Sequence, residues 1–445
     1  MGSVRGWGRL TALLVLSVVL AVAGPSADAQ SDWSQVGADI DGEVPPRSVA
    51  TNAAGDRVII GADMNDGDNG PDSGQARVYQ LTGGAWVQLG GDIDGEAGDD
   101  RSGYSVAMNA AGDRVIIGAN LNDGNGVTSG HARVYAYDGT AWEQFGADID
   151  GEAAGDQFGI SVAMSASGLA VIIGANLNDS NGSNSGHAQV YEWNGTTWVQ
   201  IGGDIDGAAV NDQSGISVAM SAAGTTVIIG ALANDDAGFG SGHARVYQLT
   251  GGAWVQLGDD IDGEAAFDES GGSVSMNAAG TTVAIGAYSN DGNGSNSGHV
   301  RVYAYDGGAW VQVGVDIDGA AAGDQSGGSV AMNAAGDTVI IGARFNAGNG
   351  DASGHVRVYT SAAAPTPTPT PTPTPAAAAA PMVAAPAAAY AGPFTVSPEP
   401  VGGPSGLGTD PSPSPAATEP AATEPATAEP ATAEPAAAPV PSFTG

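Results

Sequence analysis

Neither cysteine nor lysine occurs in the 445 residues. Without cysteine there is no disulfide framework, thiolate metal site or cysteine nucleophile. Without lysine there is no Schiff-base chemistry and no lysine general base. The 12 basic residues are therefore all arginine, against 49 acidic ones, and the formal net charge is −37. So negative a surface repels nucleic acid and anionic membranes, which both need clustered Lys and Arg. It attracts divalent cations and basic partners. Helical periodicity is missing as well, and beyond the first 29 residues no apolar run is long enough to span a bilayer. The chain is expected to bind no nucleic acid, to have no membrane span and to act as a monomer.

What is present begins with a leader. Arg5 and Arg9 give a positive start, Leu10 to Val22 is apolar, and Ala27-Asp28-Ala29 is a small-x-small cleavage signal. Residues 1–29 read as a signal peptide, too short in its apolar run to be an anchor, and the mature protein is expected to be secreted.

The body repeats itself. Tyr79, Tyr135, Tyr191, Tyr247, Tyr303 and Tyr359 stand 56 residues apart, and Trp86, Trp142, Trp198, Trp254 and Trp310 keep the same step, with Trp33 ahead of them. Within one unit, Trp142 to Ile149 alternates apolar and polar residues, as a half-buried strand does. An acidic, Gly-rich turn follows. Ile160 to Met164 is a second strand, Ala170 to Ala175 an almost wholly apolar third, and His187 to Tyr191 a fourth, with polar turns between them. Four short strands in a unit of this length predict a β-propeller blade. Residues 30–360 are thus expected to form an all-β, six-bladed β-propeller of four-stranded blades. The array opens on an orphan Trp33 strand and ends on Tyr359 without one. Residues 33–40 are therefore expected to close the ring by completing the last blade, leaving no unpaired edge.

After Tyr359 the composition shifts. Pro365 to Pro375 alternates Pro and Thr, and Ala-Thr-Glu-Pro recurs from Ala417 to Pro430. Residues 361–445 hold few large apolar side chains and are expected to remain a disordered Pro/Thr/Ala-rich spacer.

Phe158-Gly159-Ile160-Ser161-Val162, then Ile172-Ile173-Gly174-Ala175, then Ser185-Gly186-His187-Ala188-Gln189-Val190-Tyr191 resembles the FG-GAP repeat of integrin α-chain heads and secreted microbial proteins. The resemblance runs through all six units in order and spacing. It implies an extracellular propeller used for adhesion or ligand binding. In integrin-like blades a calcium loop, Asp-x-Asp-x-Asp-Gly, lies between the first two strands. This chain has Asn109-Ala110-Ala111-Gly112-Asp113 and its counterparts there.

The chain's own acidic motif is Asp-Ile-Asp-Gly, once per unit. The residues it offers to an ion are Asp94 and Glu96; Asp148, Asp150, Glu152 and Asp156; Asp204, Asp206 and Asp212; Asp260, Asp262 and Asp268; and Asp316, Asp318 and Asp324. Carboxylates at alternate positions before a glycine suit calcium, a hard ion that wants six to eight oxygens. They equally suit a tight turn in which Asp caps backbone N–H groups, and both readings stand. Because strands alternate in direction, these turns and the Asn-Asp loops (Asn122-Asp123, Asn178-Asp179, Asn234-Asp235-Asp236, Asn290-Asp291) are expected on one strongly negative face. The five histidines, all at one blade position, read as strand-start hydrogen-bond donors, since that position cannot converge on a shared metal. The breaks in the repeat, among them Arg47, Tyr104, Phe239, Phe267 and Arg344, are scattered over different blades and contain no acid–base–nucleophile set. The leading expectation is a non-enzymatic module that binds an extracellular protein, glycan or matrix. The alternatives are a calcium- or mineral-binding acidic protein and a glycan-acting enzyme.

Overall fold

A computed structural model describes residues 35–42 and 44–361. The leader, Trp33 and the tail from residue 362 on lie outside the described residues. Those described form six blades of a β-propeller, one sheet per repeat, and among them there is no helix.

Blade 3 shows how the sequence makes a sheet. Its innermost strand, Ser161–Met164, pairs antiparallel with Ala170–Ala175 in the register Ser161↔Gly174. The turn between them closes through the Gly168 N–H on the Ser165 carbonyl (2.9 Å), with Gly168 at φ +69°, where a β-carbon would be strained. Every residue of Ala170–Ala175 is buried, as an unbroken apolar run requires. His187–Trp193 pairs next, with Ala175↔His187. The outer edge departs from the expected single Trp strand, of which Trp142 to Ile149 is the example. Trp198–Gln200 and Ile205–Asp206 are separate short strands on opposite ends of His187–Trp193, because Gly202-Gly203 interrupts the run between them.

Neighbouring blades pack inner strand against inner strand. Between blades 2 and 3 the buried cluster includes Ile116, Val134, Phe158, Val171 and Ile173, closed by Trp198. Burying each large aliphatic side chain stabilises the junction by about 1.5–3 kcal/mol. The indole N–H of Trp198 donates to the Phe145 carbonyl (2.8 Å) of the preceding blade; Trp142, Trp254 and Trp310 repeat that bond to their preceding blades, and Trp86 donates to Val36. Backbones come so close that a β-carbon on Gly174 would stand 2.0 Å from the Gly215 carbonyl oxygen. The Ala-Gly turns join in a ladder, with Ala110 N–H donating to Ala166, Ala166 to Ala222, and Ala222 to Ala278.

Five such junctions link the six blades. A sixth, joining blade 6 to blade 1, is not formed among the described residues. Blade 6 has three described strands, ending in His355–Thr360. Its Ile340 is 43% exposed, whereas Ile116, Ile172 and Ile228 at the same place in other blades are 0% exposed. The opposite face of blade 1 shows Val49 at 70% against 8% for its counterpart Val106. The expected closing strand is likewise not formed among the described residues. Instead, the Val36 carbonyl accepts the Trp86 indole, and Ile40, Val44 and Pro46 line a cavity with Ile60 and Tyr79 of blade 1.

The acidic loop edge as candidate functional site

The Asp-Ile-Asp-Gly turns and the Asn-Asp loops do share one edge, and asparagine amides stitch them together. Asn125 donates to the Gly151 carbonyl (3.0 Å), Asn181 to Gly207 (2.8 Å) and Asn293 to Gly319 (2.8 Å).

The candidate carboxylates divide by environment. Asp156, Asp212, Asp268 and Asp324 are buried. Each accepts a backbone N–H of its own turn, from Ala153, Ala209, Ala265 and Ala321 respectively. Three of them also accept an asparagine amide, from Asn178, Asn290 and Asn346. These are turn-closing groups. Asp148, Asp204, Asp260 and Asp316 each take a glutamine amide at 2.6–2.7 Å. Burial pushes Asp260 up, but hydrogen bonds from Arg245 and Gln256 outweigh it and hold the carboxyl below its usual range. Asp150, Asp206, Asp262 and Asp318 are exposed. Partial shielding of the carboxyl groups from water by the neighbouring turns, and then the like charge two residues earlier, raises the first three. Asp94 accepts the Gln75 amide (3.0 Å).

The histidines depart from the expected donor role. His131, His187, His243 and His299 are buried at 0–2% exposure. The ring nitrogens left without a hydrogen-bond partner are Nδ1 of His243, both of His187, and Nε2 of His131 and His299, whose Nδ1 atoms stand 3.9–4.0 Å from carboxylates. They do not converge on one another, but each meets carboxylates of its own blade edge. The groupings are Glu96–His131–Asp148, Glu152–His187–Asp204, Asp236–His243–Asp260–Asp262 and Glu264–His299–Asp316. Such sets of one imidazole and two or three carboxylates could hold a metal ion, and nothing in them selects calcium. Where the family's calcium loop would lie, Asn109 instead accepts the backbone N–H groups of Asp113 and Arg114, both at 3.0 Å. That turn is closed by its own bonds and does not fit a calcium loop.

Sequence reasoning placed Asp236 in an acidic loop of this edge but not among the candidate ligands, although an Asp where blades 2, 3, 5 and 6 have Gly124, Ser180, Gly292 and Gly348 was a visible signal. It also took the breaks in the repeat as scattered. Phe239 and Phe267 lie in loops of adjacent blades, their rings 5.4 Å apart and 69% and 64% exposed. The Phe267 N–H donates to the Phe239 carbonyl (2.9 Å), and Asn211, Gln213, Asp235 and Glu269 surround the pair. Arg47 stacks on Tyr104, its guanidinium 4.2 Å from the ring centre, and Arg344 lies 5.5 Å from that of Tyr288.

Residues 148–191 match the model of the FG-GAP repeat. That unit is an FG-GAP repeat. The matched unit is the one that keeps Phe158-Gly159, and this phenylalanine is fully buried between blades 2 and 3. No curated protein matches the sequence. Two solved structures are similar to this chain. One is a functionally unknown protein from Desulfotomaculum acetoxidans DSM 771, at 11% identity and TM-score 0.46, covering 72% of this chain and 84% of that one. The other is a putative 6-phosphogluconolactonase from Bacteroides uniformis ATCC 8492, at 12% identity and TM-score 0.48, covering 72% and 82%.

Proposed function

We propose that this chain is an exported, non-enzymatic binding module that engages an extracellular protein, glycan or matrix through its acidic loop edge. The observation that carries the reading is the exposed Phe239–Phe267 pair set among carboxylates and amides on that edge. Paired aromatic rings offer contact area at low entropic cost, and exposed ones ringed by polar groups mark binding surfaces. The leader motif supports export, and the FG-GAP fold is compatible with binding. The test is capture of the full mature chain on arrays of extracellular proteins and glycans. A Phe239→Ser, Phe267→Ser double variant is expected to lose at least about tenfold in affinity for any ligand found, a hot-spot-sized effect. Equal binding by the variant would move the site off this edge. Turnover of a glycan on the array would make the module an enzyme.

A second reading, calcium at the acidic turns, draws on the repulsion between Asp148 and Asp150 and between their counterparts, which a cation would relieve. The calcium arm of the titration below decides it.

A further inference from the structure

One blade edge supplies an internal control for the four histidine groupings. In blade 1 the histidine position is Gln75, whose amide donates to Asp92 (2.9 Å) and Asp94 (3.0 Å). The two carboxylates are thereby drawn in and satisfied. In blade 4 the same position is His243, and Nδ1 stands 3.8 Å from Asp260 Oδ2 and 3.9 Å from Asp236 Oδ2. These separations are too long for hydrogen bonds. The nitrogen is buried, unpartnered and aimed between two carboxylate oxygens. Donor atoms of a tetrahedral zinc site, with bonds of about 2.0–2.1 Å, stand about 3.4 Å apart. The Asp236 side chain is 58% exposed and its Oδ2 is held by a long bond from the Asn234 amide (3.3 Å), so it can move in by the few tenths of an ångström required.

The composition of blade 4 adds an independent argument. The third ligand of the other groupings is a glutamate on the turn entering the blade, Glu96, Glu152 or Glu264. In blade 4 that residue is Ala208, and Asp236 appears on the neighbouring loop instead. The glutamate is lost, yet the histidine still faces a carboxylate from outside the Asp-Ile-Asp-Gly turn. A role confined to closing that turn does not require this replacement.

We propose that His243, Asp236, Asp260 and Asp262 form a site for a divalent transition ion of the zinc class, repeated with a glutamate for Asp236 at His131, His187 and His299. Imidazole nitrogen with carboxylate oxygen favours zinc and its neighbours over calcium and magnesium, which prefer all-oxygen shells. Arg245, bound to both oxygens of Asp260, and Gln189, bound to Glu152 and Asp204, orient the ligand carboxylates from behind. Blade 3, with Gln189 in place of an arginine, carries the least opposing positive charge. Each ion would tie the turn after an outer strand to the loop or turn beside it, stiffening the acidic edge blade by blade.

The experiment is calorimetric titration of the full mature chain, stripped with chelator, using zinc chloride, with cobalt(II) absorption in the visible as a second readout. The expected result is saturable binding of up to four equivalents, one per grouping. Visible cobalt bands should report nitrogen and oxygen ligation, and calcium in large excess should not displace the ion. A quadruple H131Q/H187Q/H243Q/H299Q variant is expected to weaken binding by roughly tenfold or more and to lose the cobalt bands. Because Gln75 already occupies this position in blade 1, the variant is expected to fold, with circular dichroism as the check. Should it not, the single variants His243→Gln and Asp236→Asn decide, each removing one equivalent. Unchanged zinc binding in these variants, no saturable zinc binding, or displacement by equimolar calcium would overturn the proposal. The last of these outcomes would favour the calcium reading.

Discussion

The Asn178 amide donates to Oδ2 of Asp156 at 2.9 Å, and both side chains are buried. The same oxygen accepts the Ala153 N–H at 3.1 Å, so one carboxylate holds its own turn and fastens the adjacent loop to it. Replacing Asp156 by Ala leaves the Asn178 amide and the Ala153 N–H without an acceptor, each at a cost of about 1–3 kcal/mol. Asp156→Ala is expected to destabilise the chain by roughly 2–4 kcal/mol. In urea unfolding, a double-mutant cycle with Asn178→Ala should give a coupling of about 1 kcal/mol or more. Additive effects would refute the link.

The glycine pairs predict a contrast within one chain. Gly174→Ala would bring a β-carbon to 2.0 Å from a backbone oxygen of the next blade. Backbone cannot yield as a side-chain tip can, so a loss of about 3 kcal/mol or more is expected. At Gly342, the counterpart in blade 6, the nearest atom is the Ser329 hydroxyl at 2.4 Å, which rotates away. Gly342→Ala is expected to cost less than about 1 kcal/mol. Paired thermal unfolding curves check this. Similar losses at both positions would mean that another blade packs on blade 6.

Acid should weaken the fold first through its histidines. Burial, and then Arg133, lowers His131 from 6.5 to about 4, and burial, followed by Arg245 and Arg301, lowers His243 and His299. His131 also faces Glu96, Asp148 and Asp150, and the charge of Asp148 pulls the other way without prevailing. A lowered folded pKa means that the unfolded chain binds the proton first. Stability is therefore complete above pH 6.5, falls as pH drops below it, and stops falling on this account near pH 4. For His131 the full loss is up to roughly 3 kcal/mol. Asp100, Asp150, Asp206 and Asp262 are raised by shielding from water. Their protonation in acid favours the folded state and offsets part of the loss. Chelator-treated chain should show a falling midpoint between pH 7 and 5, and the quadruple His→Gln variant a flatter one. Parallel curves would contradict the assignment.

The Tyr and Trp spacing made blade number and strand order legible, because each blade buries the same side chains in the same register. The face shared by the acidic loops followed from strand alternation alone. The divided outer edge was hidden, since Gly202-Gly203 reads as one more turn until its pairing is seen. The histidines were misread because each unit was read by itself. Glu96 reaches His131 from the turn entering its blade, and a buried ring 3.8–4.0 Å from its carboxylates leaves no mark in sequence. Phe239 and Phe267 were likewise far apart until two loops met. The expected closure was argued from strand inventory, whereas the exposure of Val49 and Ile340 is decided by what stands beside them in space.

That exposure sets a gradient along the molecule. A sheet held on both sides can open only by giving up two sets of contacts, but the one built on Ile340 and Val358 gives up a single set. Amide protons in His355–Thr360 should exchange with solvent sooner than those in His187–Trp193. Heat should peel the array from its last repeat inward.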